Sequence, residues 1–133
     1  YEALIALCRQ HGIYILHDEI FNGLGPSGAT HLPYIADVYE RGLSLGVMSK
    51  SYGLPGLRIG WIASQDRALL SKMERMKHYL SICNSGPSER LAKIALTYRD
   101  AILARNCKIV DENLPKLDAF FARHPDLFEW QRP

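Results

Sequence analysis

Apolar and polar positions change period several times along this chain. From Tyr1 to Gln10 the apolar residues recur at helical spacing, with Leu4, Leu7 and Cys8 on one face, and His11-Gly12 supplies a stop. Ile13-Tyr14-Ile15-Leu16 is then nearly continuously apolar, short and β-branched, which predicts a buried strand of a parallel sheet. That run ends at His17-Asp18-Glu19. Residues 22–28 are loop by composition, and His31 to Arg41 has room for one or two helical turns. Leu43 to Met48 predicts a second strand, Ser51 to Gly56 a turn, and Leu57 to Ala63 a third strand.

The period then becomes helical. Ser64-Gln65-Asp66 reads as a helix start, and Leu69, Met73, Met76 and Leu80 form an apolar stripe expected to be core. Asn84-Ser85-Gly86-Pro87 interrupts it. Pro87 suits the first residue of a new helix, with Glu89 in its first turn and Leu91, Ile94, Ala95, Tyr98 and Ile102 as its apolar stripe. The pattern resumes through Val110, Leu114, Leu117 and Phe121, with Pro115 as a kink or restart, and stops at His124-Pro125. Arg123 and His124 read as cations at a helix terminus. Leu127 to Trp130 looks like a strand beginning. Strands interleaved with helices make this an α/β chain.

Composition narrows the field. The 133 residues are 47% hydrophobic and 23% charged, an ordinary globular balance with enough length for a core. A formal net charge of +2, with no basic block interleaved with aromatics, gives no case for nucleic acid. No apolar run approaches the ~20 residues of a membrane span. Cys8, Cys83 and Cys107 are widely spaced and form no metal-ligand pattern, so reduced thiols in a cytoplasmic protein and no metal site are expected. A first residue that is Tyr, already inside a helix, and a last one just past an apolar run suggest a piece of a longer polypeptide.

Within Val47 to Trp61 stand one lysine and one arginine in a run otherwise of apolar residues, glycine, proline and hydroxyls. Lys50 ends the second strand, Arg58 opens the third, and Asp18 ends the first. Ligands of open α/β sheets bind outside the carboxyl ends of parallel strands, so Asp18 and Lys50 are expected to face one crevice. A lysine flanked by Ser49, Ser51 and an apolar turn is expected to be poorly solvated, which favours the neutral, nucleophilic amine. Arg58 offers a planar fork suited to a phosphate dianion. Asp18 can accept a hydrogen bond from a protonated ring nitrogen. Pyridoxal 5′-phosphate combines aldehyde, phosphate and pyridine nitrogen and would engage all three.

The stretch from Ser49 to Trp61 resembles the cofactor-lysine segment of fold type I pyridoxal phosphate enzymes, specifically the class I/II aminotransferases. That pattern is serine, lysine, two residues, glycine, then glycine-x-arginine-x-glycine, met here by Ser49, Lys50, Gly53, Gly56, Arg58 and Gly60. His17 to Phe21 resembles the family's aspartate strand end, with Asp18 in the aspartate slot. The resemblance covers the whole chain. It implies the second half of the large cofactor-binding domain over residues 1–86, an interdomain helix region over 87–124, and the start of a small domain over 125–133. It implies that Lys50 forms a Schiff base with the cofactor and moves the substrate's α-proton, that Asp18 keeps the pyridine nitrogen protonated, and that Ser49 and Arg58 hold the phosphate. Gly53 and Gly56 would permit the tight turn. It further implies amino acid and 2-oxo acid substrates and a homodimer, with Asn84 and Ser85 reaching a neighbouring subunit's site.

Two positions depart from the pattern. Phe21 stands where the family often has a tyrosine that reaches the cofactor's 3′-oxygen, and Val47 where it often has a phosphate-binding serine. A hydrogen bond to an anionic oxygen is worth about 1.5–3 kcal/mol, so cofactor grip is expected to weaken without loss of the reaction. Decarboxylase, β-replacement and cyclising chemistry on the same fold remain open, as do an effector-sensing domain of a transcriptional regulator and a pseudo-enzyme scaffold. Segments that complete the family's site are missing from these residues, and the 133-residue piece alone is expected to lack transaminase activity. Plainer readings attach to several side chains: Arg58 as an ion-pair partner of Glu19, Glu19 as a salt link, His17 as a satisfied sheet residue, and Tyr52 and Trp61 as packing.

Overall fold

The computed structural model describes residues 1–133 throughout. Helix α1 (Glu2–His11) places Glu2 in its first turn and Arg9 in its last, each sign matching the helix dipole. Gly12 ends it in the left-handed region, φ 64°, as its sequence position predicts. Strand β1 (Ile15–Asp18), the short helix α2 (Ile35–Val38), strand β2 (Gly42–Val47), a 3-10 turn at Pro55–Leu57 and strand β3 (Gly60–Ser64) follow. The helices α3 (Arg67–Ser81), α4 (Gly86–Thr97) and α5 (Arg99–Ala122) complete the chain.

The sheet has the order β1-β2-β3. β1 and β2 are parallel, with Ile15 opposite Gly42 and Asp18 opposite Leu45. β2 and β3 are antiparallel, with Leu45 opposite Ile62 and Val47 opposite Gly60. Helix α2 lies against β2, where the Ala36 N–H donates to Ser44 Oγ at 3.1 Å. That approach is close enough to require Gly42, since a Cβ there would stand 2.4 Å from the Ile35 carbonyl oxygen. One core cluster joins Ile5 and Cys8 of α1 to Ile35 and Tyr39. A second joins Met48, just past β2, to Ala92 and Ala95 of α4.

Several expectations are corrected. The first strand starts two residues later than the apolar run and is not buried, for Leu16 is 64% exposed. Within these residues β1 pairs with β2 alone. The methionine stripe of α3 is not core: no residue of that helix is buried, and Met76 and Leu80 are exposed. In α4 the small residues Ala92 and Ala95 meet the core while Leu91, Ile94 and Tyr98 stay exposed, because close packing over the Met48 turn selects the short side chains. Helix α5 continues through Pro115. Leu127–Trp130 is not a strand: the N–H groups of Leu127 and Phe128 return to the His124 carbonyl, and Trp130 stacks on Phe121 at 4.5 Å between centroids. The aromatic residues fold this segment back onto the end of α5, where Trp130 Nε1 donates to Asp118. The cysteines are free thiols, as expected.

Asp66 caps α3, its carboxylate accepting from the Leu69 N–H at 2.9 Å. The Tyr14 hydroxyl, first, and that backbone donor, second, hold its carboxyl below the usual 3.8. A depressed folded-state pKa stabilises the fold above the unfolded value, and the contribution is lost as pH falls through the folded one. Asp66→Ala is therefore expected to lower Tm at neutral pH, and the difference from wild type to shrink as pH falls below the usual carboxylate range. A thermal melt series by circular dichroism checks this.

Candidate active site

The register brings the candidate residues to one edge of the sheet. Asp18 is the last residue of β1, and Lys50 follows the end of its parallel neighbour β2 by three residues. Because β3 runs the opposite way, its beginning lies at that same edge, and Arg58 stands two residues ahead of it. Adjacent strands are about 4.8 Å apart, so β1 and β3 are separated there by about 10 Å.

Each side chain has a distinct local support. Lys50 lies in a turn closed by the Gly53 N–H donating to its carbonyl at 2.8 Å, and Gly53 takes φ 65°, where a side chain would be strained. Gly56, by contrast, has ordinary φ and open space around its Cβ position, so the turn does not need it. The Met48 N–H bonds to the Ile59 carbonyl and the Leu54 N–H to the Met48 carbonyl, tying the turn to the approach to β3. Ser49 is half-buried in this turn. The Lys50 ammonium lies 6.0 Å from the centre of the Phe21 ring, which brings the lysine over the loop that follows Asp18. Contrary to the sequence expectation, Lys50 is exposed: in these residues the turn has no wall on its outer side.

Arg58 does not open β3 as the apolar pattern suggests. It caps the Pro55–Leu57 turn in the left-handed region, φ 55°, and its guanidinium donates to the Pro55 carbonyl at 3.1 Å. A non-glycine residue held there costs about 1–3 kcal/mol, and such residues cluster where a side chain must point a particular way. Arg58 forms no ion pair. Glu19 instead accepts from the Ile35 N–H at 2.7 Å and pairs with His17 Nδ1 at 2.9 Å, so the Arg58–Glu19 pairing does not form and His17 is satisfied within the sheet. Asp18 is exposed and accepts one long bond from the Ile20 N–H at 3.4 Å, which leaves its carboxylate largely available.

A cavity of about 270 Å³ opens beside Asp18 and Phe21, bordered by Thr30 and His31. A second, of about 210 Å³, lies over Ser44, Gly46 and Trp61. Ser49, Lys50 and Arg58 line neither and stand on the open edge. Tyr52 and Trp61 meet edge to face at 6.3 Å, and the Trp61 ring covers Gly46, whose Cβ would come within 2.4 Å of it. Asn84 and Ser85 sit at the start of α4, Asn84 bonded to Glu89 at 3.1 Å and Ser85 as its N-cap. No group of side chains here has the makings of a metal site.

A carboxylate, a primary amine, a serine hydroxyl and a guanidinium outside any ion pair, at one sheet edge, are a donor set that fits a phosphorylated pyridine aldehyde. Comparison with known proteins agrees with that chemistry. The profile of the family described as "Aminotransferase class I and II" matches residues 1–113, and the chain belongs to this family, whose cofactor is pyridoxal 5′-phosphate on a fold type I scaffold. A pyridoxal phosphate-dependent aminotransferase from Streptococcus suis superposes with a TM-score of 0.89 at 33% identity, over 99% of this chain and 34% of that one. The pyridoxal phosphate-dependent cyclase OrfR superposes at 0.86 with 25% identity, over 99% and 34%. Capreomycidine synthase of Streptomyces vinaceus is 45% identical over 65 residues, 48% of this chain and 16% of the synthase. The chain thus spans about a third of the solved structures it resembles.

The sequence pattern missed the left-handed backbone at Arg58 and the Phe21–Lys50 contact. The first had a signal, since Pro55-Gly56 favours a tight turn over a strand start. The second had none, because it joins residues 29 positions apart.

Proposed function

We infer that the protein transfers an amino group between an amino acid and a 2-oxo acid, with pyridoxal 5′-phosphate held at the edge where β1, β2 and β3 present Asp18, Lys50 and Arg58. The observation that supports this most is the register that gathers those three groups. When bound, the cofactor supplies an aldehyde that condenses with amines and a ring that accepts electrons from the substrate's α-carbon. Lys50 would hold the cofactor's aldehyde through its amine and would serve as the base for the proton at the substrate's α-carbon. Asp18 keeps a proton on the ring nitrogen. Arg58 and Ser49 bind the phosphate. Phe21 has no hydroxyl where the family often has a tyrosine, so that position would offer the cofactor's 3′-oxygen no hydrogen bond.

A homodimer suits this reading. The exposed apolar side chains Met76, Tyr79, Leu80 and Ile82 lie next to Asn84 and Ser85, which would then approach the neighbouring subunit's substrate.

The test is a half-reaction. Full-length protein loaded with cofactor and given an amino acid alone should accumulate the aminated cofactor, and a 2-oxo acid should reverse it. A second reading, cyclisation, draws on the capreomycidine synthase and OrfR resemblances; it gives product without stoichiometric aminated cofactor. An effector-sensing domain would bind amino acids and turn over neither way.

A carboxylate beside a ring nitrogen raises that nitrogen's pKa by about 1–3 units. Asp18→Asn is therefore expected to lower the half-reaction rate about 10- to 1000-fold, while Asp18→Glu retains part of it. Stopped-flow absorbance checks this.

A further inference from the structure

Lys50 is exposed, yet Met48 and Ser51 near it are among the best-buried residues of the chain. Met48 is 0% exposed and Ser51 is 1% exposed. Ser51 directs both its N–H, at 3.3 Å, and its hydroxyl, at 3.0 Å, to the Ile20 carbonyl. This ties the lysine turn to the residue two beyond Asp18. The remaining polar group of Ser51, its carbonyl, accepts from Asn106 Nδ2 at 2.8 Å. Asn106 belongs to α5, fifty-five positions along the chain.

The same face of α5 grips the loop that follows Asp18. The Leu103 side chain lies against Gly23, where a Cβ would come within 3.0 Å of it. Cys107 Sγ reaches the Gly23 carbonyl at 3.4 Å, and Asp111 accepts from the N–H of Ser27 at 2.8 Å and from its hydroxyl. Leu103, Asn106, Cys107 and Asp111 follow helical spacing, so one ridge of α5 seats both the Asp18 loop and the Lys50 turn. Within that ridge Asn106 is the residue that reaches the lysine turn itself. A buried carbonyl whose donor is removed is left unsatisfied, so the turn would shift to find another partner.

We propose that Asn106 is a positioning residue for the reaction of Lys50: its carboxamide, through the Ser51 carbonyl, fixes the backbone pivot from which the Lys50 amine reaches the cofactor aldehyde. This rests on the reading of Lys50 as the cofactor-bonding lysine. Asn106 touches neither the amine nor the cofactor.

The experiment uses the full-length protein with Asn106→Leu, Asn106→Asp and Asn106→Gln, and Leu103→Ala as a ridge control. Leucine and aspartate remove the donor; glutamine keeps it. Three quantities are read: amide exchange of residues 48–54 without cofactor, the pH titration of the bound cofactor's visible absorbance, and the half-reaction rate. Asn106→Leu and Asn106→Asp should speed exchange of the turn at least about 10-fold, move the titration midpoint, and slow the half-reaction about 10-fold with cofactor stoichiometry retained. Asn106→Gln should recover much of each. Leu103→Ala should loosen residues 20–28 without moving the titration. If Asn106→Leu does not fold, the Asp and Gln variants decide.

A wild-type titration in Asn106→Asp, or the same shift in Leu103→Ala, would overturn the proposal. Failure of the underlying reading is separately visible: borohydride reduction of each variant, followed by peptide mapping, would place the cofactor on another lysine.

Discussion

Lys50→Ala in the full-length protein is expected to abolish covalent retention of the cofactor and to slow amino transfer at least about 1000-fold. In the proposed reaction the side chain would serve twice, as the amine that holds the aldehyde and as the base that moves the substrate's α-proton. A positioned acid–base group alone contributes about 10²–10⁴-fold. Fold stability should change little, because the Lys50 turn is held by the backbone of Met48, Ser51 and Gly53. Pyridoxal phosphate should still bind non-covalently through Arg58, Ser49 and Asp18. A small primary amine added to Lys50→Ala should restore part of the proton transfer, since it replaces the missing base. Single-turnover kinetics with and without the amine measure this.

Arg58→Ala is expected to raise the dissociation constant for the cofactor about 100-fold and to change substrate preference little. Two charge-assisted bonds from one guanidinium are worth about 1.5 kcal/mol each, which together is roughly that factor. Arg58→Lys should recover only part, because an ammonium cannot reproduce the fork. The backbone adds a second, independent expectation. Arg58 sits at φ 55°, a conformation that glycine adopts without strain. Arg58→Gly should therefore melt at or above the wild-type temperature while binding cofactor as poorly as Arg58→Ala. Equilibrium dialysis and a thermal melt on the same preparations separate the two effects. A guanidinium that served only to brace the Pro55 turn would give the opposite result, a lower melting temperature and unchanged affinity.

Local chemistry was the most legible part of this chain. The Gly12 stop and the Asp66 cap each depend on residues a few positions apart and stand where the pattern places them, while α4 begins at Gly86, one residue ahead of Pro87. The spacing of Ser49, Lys50, Gly53 and Arg58 likewise identified the family, because a turn of fixed length dictates it. What the pattern could not reveal was which apolar faces find partners. Leu16, Met76 and Leu80 carry a core-like period yet are exposed, since periodicity reports that a face is apolar and not what covers it. Lys50 is likewise exposed within these residues. Direction was hidden as well: nothing in Gly60–Ser64 states that it runs antiparallel to β2, although that reversal is what carries Arg58 to the edge occupied by Asp18 and Lys50. The Asn106–Ser51 bond is illegible in principle, being one polar residue on a long helix facing a carbonyl far away in sequence.

The central claim is that this sheet edge gathers an amine, a guanidinium and a carboxylate around one phosphorylated aldehyde. Its most direct test is borohydride reduction of the full-length protein with pyridoxal 5′-phosphate, followed by proteolysis and mass spectrometric mapping. A phosphopyridoxyl group on Lys50, at one per chain and lost when Arg58 or Asp18 is replaced at limiting cofactor, is the expected result. Equal labelling of exposed lysines such as Lys72, Lys77 or Lys93, indifferent to Arg58 and Asp18, would contradict it.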